Sequence, residues 1–336
     1  MVEFEVGEFI HFFVIGPSTL RQAQGRALDI TLQNYKKCIF AAKIKPFTMS
    51  ENLKQSTGIR ILIFLVILLV SGLIGVAASA VFMLMGDTGL KIGQGISSIM
   101  MFVVPPIVYY FVTRKEHQMR DLGLRSINKP WLLFLLAGIA VMFVSLPVTN
   151  QLTAWNENMK VGGALQTLED MLKALEETAA AATEQMLKVD TIGGLLFNLV
   201  VIALIPAIGE ELTFRGVLQQ GLTRRMNPHI AILLSAAIFS FIHFQFYGFL
   251  PRMFLGMLLG YLFYTSGSLW TCMLMHFLNN GSAVVVYYLN HKGIINVDVD
   301  HFGAAQNMWV IIASAVVTVA LIAWCCWKKG QAQIKD

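Results

Sequence analysis

Side chains that can do acid–base chemistry interrupt three apolar stretches of this chain. They are Glu210, Glu211 and Arg215 in the first stretch, His243 in the second, and His276 with Asn280 in the third. Ionisable side chains inside a membrane cost so much free energy that they are rare there and usually mark a functional site. Carboxylates and imidazoles move protons, and amides donate hydrogen bonds to an oxyanion. The set therefore indicates hydrolysis.

The first motif combines a paired and an unpaired carboxylate. Glu211 and Arg215 are four residues apart, so on a helix they share a face and can form an ion pair. Glu210 projects about 100° away around the helix and lacks that partner, which makes it a candidate general base. A salt bridge at a helix end would explain the motif equally well when it is taken alone.

The other two motifs supply histidines and an amide. A lone buried histidine such as His243 is more often a structural hydrogen-bonding group than a catalytic one. His276 and Asn280 are one helical turn apart, so both could donate hydrogen bonds to one developing oxyanion. Polar contacts between helices are the alternative explanation for that pair. Three such motifs on nearby segments favour a shared site.

The motifs of other hydrolases are missing from the sequence. It has no His-Glu-x-x-His helix, no Gly-x-Ser-x-Gly nucleophile elbow and no pair of aspartates within the apolar segments. It also lacks a complete glycine-rich nucleotide loop. Glutamate and histidine are therefore the expected catalytic groups.

The composition identifies the element type that must position these residues. The chain has 336 residues, of which 56% are hydrophobic and only 13% are charged. Soluble domains contain about 25% charged residues, so we predict an all-α fold, a polytopic membrane helix bundle. A helix needs about 20 apolar residues to cross the hydrocarbon core. On this criterion we predict about eight transmembrane helices, at residues 61–85, 92–112, 131–149, 192–212, 229–248, 251–266, 268–289 and 307–327.

The basic residues indicate an orientation in the membrane. Lys and Arg cluster before the first predicted helix, after the second and fourth, and in the C-terminal tail. Because positive loops stay in the cytoplasm, both termini are predicted to be cytoplasmic. We expect a multi-pass integral membrane protein. The net charge of +5 is explained by topology and by anionic lipid headgroups, so the lipid bilayer is a partner and nucleic acid is not.

We divide the chain into four parts. Residues 1–48 lack a sustained period, and Met49 resembles a natural start, so 1–48 is predicted to be a disordered extension or a start-site artefact. Residues 49–190 hold the N-terminal transmembrane helices and a loop helix. Residues 191–290 form the predicted catalytic core, and residues 291–336 form the last transmembrane helix and a basic tail.

The loop at 150–190 is predicted to contain an amphipathic helix. An apolar stripe at helical spacing indicates that this helix packs over the bundle; a lid that faces the substrate is the alternative. The stripe comprises Leu165, Leu168, Leu172, Leu175 and Ala179.

Gly256 and Gly260 lie four residues apart in the sixth predicted helix. Small residues at this spacing let two helix backbones approach closely. We therefore predict close packing of this helix against a neighbour inside the bundle.

The three motifs together resemble the CPBP family of intramembrane proteases, which includes the type II CAAX prenyl endopeptidases and bacterial Abi or bacteriocin-processing proteins. The resemblance rests on Glu-Glu-x-x-x-Arg, on Phe-x-x-x-His and on His-x-x-x-Asn, and it covers about residues 190–290. It implies an eight-helix membrane fold with a catalytic cavity that faces the cytosol.

The resemblance also implies a role for each residue. Glu210 and His243 would activate water, and Glu211, paired with Arg215, would support them. His276 and Asn280 would stabilise the oxyanion. The family is often described as metalloproteases, and Glu210, His243 and His276 could bind zinc. The same residues also suffice for a metal-free glutamate mechanism, so both alternatives stand.

The sequence therefore predicts a CAAX-type membrane endopeptidase that acts on a protein or peptide substrate, which could be membrane-anchored. A non-catalytic bacteriocin-immunity or scaffold protein on the same fold is the alternative. The complete catalytic set favours the enzyme, because a scaffold need not keep all six groups. A transporter is less favoured because the two halves show no internal repeat.

Overall fold

A computed structural model describes residues 57–113, 122–125, 129–160, 162–299 and 301–335 of the chain. These residues are helical and include no β-strand, which confirms the all-α class. The predictions for residues 1–48 lie outside the described residues. The helices are α1 (Thr57–Met83), α2 (Gly86–Thr113), α3 (Lys129–Val144), α4 (Leu146–Glu157), α5 (Gln166–Leu187), α6 (Ile192–Thr223), α7 (Pro228–Phe241), α8 (Phe249–Ser266), α9 (Leu269–His291) and α10 (Met308–Lys335).

The apolar helices have the lengths of a multi-pass membrane protein. Within the described part of the chain, six helices are long and apolar enough to cross a membrane, and α3 with α4 forms a further candidate span that is bent by 46°. The remaining apolar helix, α7, has only 14 residues. Each of the eight predicted segments therefore contains a helix, and about eight transmembrane helices is compatible with the structure.

Helix α6 is longer than predicted. The apolar pattern placed its end at residue 212, where charged residues begin, but the helix continues to Thr223. The charges do not end it because Glu211 and Arg215 are buried and pair with each other. Glu210 consequently lies well inside the helix rather than next to its end.

Helix α6 also contains two π-helical stretches, Leu199–Leu204 and Leu212–Gln219. They flank the short α-helical segment Ile205–Glu211, which carries both glutamates. Wide π turns inside α-helices frequently coincide with functional sites. The glutamate pair lies between two such stretches.

Helix α7 is shorter than predicted. It ends at Phe241 rather than at residue 248, because Phe244 adopts a left-handed conformation with φ of +53°. A bulky residue in this region cannot continue a right-handed helix. His243 therefore lies in a turn between α7 and α8, outside both helices, and not deep within a span.

The glycine pair in α8 packs closely against α7, as predicted. A Cβ atom added to Gly256 would lie 3.0 Å from Cβ of Ala236, and one added to Gly260 would lie 2.9 Å from Cγ2 of Ile232. Real Cβ atoms essentially never show a contact of 2.9 Å, and a contact of 3.0 Å is tighter than nine in ten real ones. This packing brings the α7 end and its turn against α8.

A hydrophobic core surrounds the middle of α6, α8 and α9. It is formed largely by apolar side chains from these helices and from α1 and α2, and its buried members include Phe64, Tyr110, Leu212, Leu259, Leu262, Leu269, Cys272 and Met275. Close packing of this kind fixes the rotation of each helix. The polar side chains on α6 and α9 are therefore held in one arrangement.

Helix α5 forms where the amphipathic helix was predicted, but it presents a different face to the protein. Leu165, Leu168 and Leu175 are exposed by 41% or more, so the expectation that this stripe packs on the bundle was wrong for these three. The inner face instead carries Glu169 and Glu176, which make polar contacts. Hydrogen bonds with loops contribute to the rotation of this helix, together with the burial of Met186 near its C-terminal end.

Candidate active site

Glu211 is the centre of a buried polar network. Its side chain is fully buried, and its Oε1 atom accepts a hydrogen bond of 2.8 Å from Nη1 of Arg215. The same oxygen lies 2.8 Å from Nδ1 of His276, which donates to it. The predicted ion pair between Glu211 and Arg215 is thus present, and His276 connects it to α9.

Arg215 connects the network to two further helices. Its Nη2 atom donates a hydrogen bond of 2.8 Å to the carbonyl oxygen of Gly256 in α8. Its Cζ atom lies 5.1 Å from the ring centroid of Phe239 in α7, a cation–π distance. The phenylalanine of the second motif therefore supports the guanidinium. Gly256 was predicted only as a packing residue, because a backbone carbonyl leaves no mark in the sequence.

Glu210 lies beside this network and reaches open space. Its Oε2 atom is 3.8 Å from Nε2 of His276, so this imidazole stands between the two glutamates. Glu210 also lines a cavity of about 280 Å³. Only one carboxylate of the pair is thus presented to a ligand, which agrees with the different roles predicted for them.

His243 lines the same cavity from the turn after α7. Its Nδ1 atom lies 2.8 Å from the carbonyl oxygen of Phe239. A carbonyl can only accept, so Nδ1 carries the proton, and Nε2 is the acceptor of the neutral ring. Burial lowers the pKa of His243, and the Glu210 carboxylate opposes this with a smaller effect. The neutral ring is therefore the prevailing form near pH 7.

Asn280 and His276 occupy different layers, although they lie one turn apart on α9. Asn280 lines the cavity, and its Nδ2 atom is 3.5 Å from the carbonyl oxygen of Ile202. His276 is buried, and both of its ring nitrogens face glutamates. The six predicted residues thus form two layers. Glu210, His243 and Asn280 face the cavity, and Glu211, Arg215 and His276 lie behind them.

The opposite wall of the cavity is polar and was not predicted as part of the site. It is formed by Gln94, Ser97 and Ser98 of α2. Their spacing of three and four residues places them on one face of a helix. This periodicity could have indicated the wall from the sequence. Uncharged polar side chains in an apolar span are, however, a weaker indication of a functional site than charged ones.

The three possible metal ligands named from the sequence are Glu210, His243 and His276. Within the described residues, no group of three or more His, Cys, Asp and Glu side chains is arranged to hold a metal ion. Nδ1 of His276 is engaged with Glu211, and Nε2 is 3.8 Å from Glu210. The mechanism proposed below uses the side chains alone.

Comparison with known proteins identifies the region that carries the site. No curated protein and no solved structure matches the chain. A family model, that of type II CAAX prenyl endopeptidase Rce1-like proteins, matches residues 192–282. This segment contains α6, α7, α8 and the first part of α9, with all six predicted residues. The resemblance recognised from the three motifs is thereby confirmed, and the part of the chain that carries them is similar to this family.

Proposed function

We propose that this protein is an intramembrane endopeptidase that hydrolyses a peptide bond in a membrane-associated protein or peptide. The observation that carries the proposal is the convergence of Glu210, His243 and Asn280 on one cavity from α6, the turn after α7, and α9. These three groups are a base, a hydrogen-bond acceptor and an amide donor. Hydrolysis by activated water requires these functions.

The first step is the attack of water on the peptide carbonyl. Glu210 accepts one proton from a water molecule, and the neutral His243 ring orients that water by accepting a hydrogen bond at Nε2. The water oxygen forms a bond to the carbonyl carbon, and the carbonyl oxygen becomes an oxyanion. Glu210 suits this role because its carboxylate reaches the cavity while that of Glu211 is held by Arg215.

The second step is collapse of the tetrahedral intermediate. Asn280 donates a hydrogen bond to the oxyanion from the cavity wall. Glu210 returns its proton to the leaving nitrogen, the carbon–nitrogen bond breaks, and a carboxylic acid and an amine are released. We assign His276 to orienting Glu210 rather than to the oxyanion, because its ring nitrogens face the two glutamates.

The substrate class follows from the location of the cavity. Helices α2, α6 and α9, which line the cavity, are candidate membrane spans, so we expect the substrate to reach it from the bilayer or from the surface beside it. A volume of about 280 Å³ accommodates one or two residues of an extended peptide together with the attacking water. We place this cavity on a path to the cytosol in a bacterial cytoplasmic membrane, and a prenylated substrate is one candidate.

The test compares purified variants in detergent or liposomes. Glu210→Ala and His243→Ala should abolish cleavage of peptides that the wild-type protein cleaves, with the thermal midpoint unchanged. Glu177→Ala, an exposed acidic residue on α5, is the matched control and should leave cleavage unchanged. Cleavage at the wild-type rate in either cavity variant would exclude the mechanism. A wild-type protein without any cleavage would favour a non-catalytic scaffold.

The metal question has its own measurement. A mechanism that uses Glu210 and His243 alone predicts that cleavage persists after dialysis against a chelator. Metal analysis of the dialysed protein verifies that the sample is metal-free. Loss of cleavage on dialysis, with recovery when zinc is added, would contradict the metal-free route.

A further inference from the structure

The turn that carries His243 has an unfavourable backbone conformation. Phe244, the next residue, has φ of +53°, which bulky side chains rarely adopt. Such conformations persist only when surrounding contacts hold them, and they cluster at functional sites. The contacts that hold this turn therefore also determine where the His243 ring points.

Glu176 of α5 holds the half of the turn next to His243. Its Oε2 atom accepts a hydrogen bond of 3.2 Å from the backbone N–H of Tyr247. Its Oε1 atom accepts one of 3.2 Å from Nε2 of Gln245. Arg252 of α8 completes the contact, because its Nη2 lies 3.8 Å from Glu176 Oε1 and its Nη1 donates to the carbonyl of Gln245.

Asn156 of α4 holds the other half of the turn. This residue is only 1% exposed. Its Nδ2 atom donates a hydrogen bond of 2.9 Å to the carbonyl oxygen of Phe246, and its Oδ1 atom accepts one of 2.7 Å from the N–H of Leu250. Asn156 is part of the bundle interior, whereas Glu176 is a partly exposed residue on a helix outside the candidate spans. Glu176 can therefore be changed without opening the core.

We propose that Glu176 is a positioning residue for His243, and that α5 acts on the active site through this side chain. The proposal rests on the proposed function, since it gives the His243 ring a catalytic task. It explains why α5 turns an acidic face toward the protein and leaves Leu168 and Leu175 exposed. Removal of the carboxylate frees the amide of Tyr247 and the side chain of Gln245, so the turn relaxes and His243 is misplaced.

The experiment uses the full-length protein and two readouts. Hydrogen–deuterium exchange is measured for residues 243–250 in Glu176→Ala, with Glu177→Ala as the control. Exchange of the turn amides should be about tenfold faster in Glu176→Ala and unchanged in the control. Cleavage of a peptide substrate should show kcat reduced about tenfold or more with KM little changed, because small displacements of a catalytic group slow the chemical step.

Glu176→Gln separates positioning from a general loss of structure. The glutamine side chain keeps one oxygen that can accept a hydrogen bond. It lacks the second acceptor oxygen and the negative charge opposite Arg252. Both readouts should therefore fall between those of the wild type and Glu176→Ala, with the same thermal midpoint. Unchanged exchange in Glu176→Ala would overturn the proposal, as would faster exchange with unchanged kcat. If the wild type cleaves nothing, the proposed function fails, and the exchange data alone decide whether Glu176 holds the turn.

Discussion

Nδ1 of His276 donates a hydrogen bond of 2.8 Å to Oε1 of Glu211, which connects α9 to α6 in the centre of the bundle. The same oxygen accepts from Arg215, so one carboxylate atom joins two motifs that are 65 residues apart. Hydrogen bonds of this kind in a low-dielectric interior leave little freedom to the groups that form them. The layer behind the cavity thus gives the cavity residues a rigid base.

Arg215→Ala should reduce stability as well as activity. The change leaves the buried Glu211 carboxylate without its cation, and breaking a buried ion pair costs about 3–5 kcal/mol. The free energy of unfolding in detergent and the rate of cleavage should both fall. Lys188→Ala is the control, because it breaks the exposed ion pair with Glu184 on α5 and should change neither quantity.

The two adjacent glutamates should respond differently to the same substitution. Glu210→Gln removes the base but leaves the buried network intact, so cleavage should be lost while the thermal midpoint is retained. Glu211→Gln leaves the buried Arg215 charge without a carboxylate, so the midpoint should fall as well. Thermal unfolding and peptide cleavage of both variants test this. An equal loss of stability in the two would contradict the two-layer arrangement.

Asn280→Ala should slow the chemical step with little effect on substrate binding. Loss of one hydrogen-bond donor to an oxyanion reduces kcat by about 10²–10³-fold. KM for a peptide substrate should stay close to the wild-type value. Ser282→Ala, an exposed position on the same helix, should leave both constants unchanged. An Asn280→Ala variant with normal kcat would assign the oxyanion contact to another group.

Gly260→Ala should destabilise the packing of α7 against α8. The added Cβ would lie 2.9 Å from both Cγ2 of Ile232 and Oε1 of Gln219. Overpacking of this kind costs about 1–3 kcal/mol. Gly193→Ala in α6 is the control, because it makes the same substitution at a site with space. The added Cβ would meet only Oγ1 of Thr191 at 3.9 Å, so the thermal midpoint of unfolding should not fall. Equal midpoints for the two variants would show that the close approach is not needed.

The sequence predicted the features that follow from helical periodicity. The pairing of Glu211 with Arg215 depends only on a separation of four residues along one helix, and the structure contains that pair. The eight apolar segments follow from composition in the same way. Both are local properties, so they can be recognised without knowledge of the neighbouring helices.

Several other features that depend on contacts between helices were not predicted. His276 and Asn280 are equivalent in spacing, yet the rotation of α9 directs one to Glu211 and the other to the cavity. The true end of α7 depends on the left-handed backbone conformation of Phe244. Phenylalanine rarely adopts this conformation, so the residue type gave no indication of it. The exposed leucines of α5 likewise reflect contacts of Glu176 with a distant turn.

The short helix α7 has a consequence for the lipid around the protein. Its 14 residues span about 21 Å at the rise of an α-helix, whereas the hydrocarbon core of a bilayer is about 30 Å thick. Exposed apolar side chains such as Ile230 and Phe241 lead us to expect that this helix faces lipid. We therefore expect the adjacent bilayer to thin around α7, which would bring headgroups and water toward His243. Cleavage should accordingly be faster in bilayers of shorter acyl chains than in thicker ones.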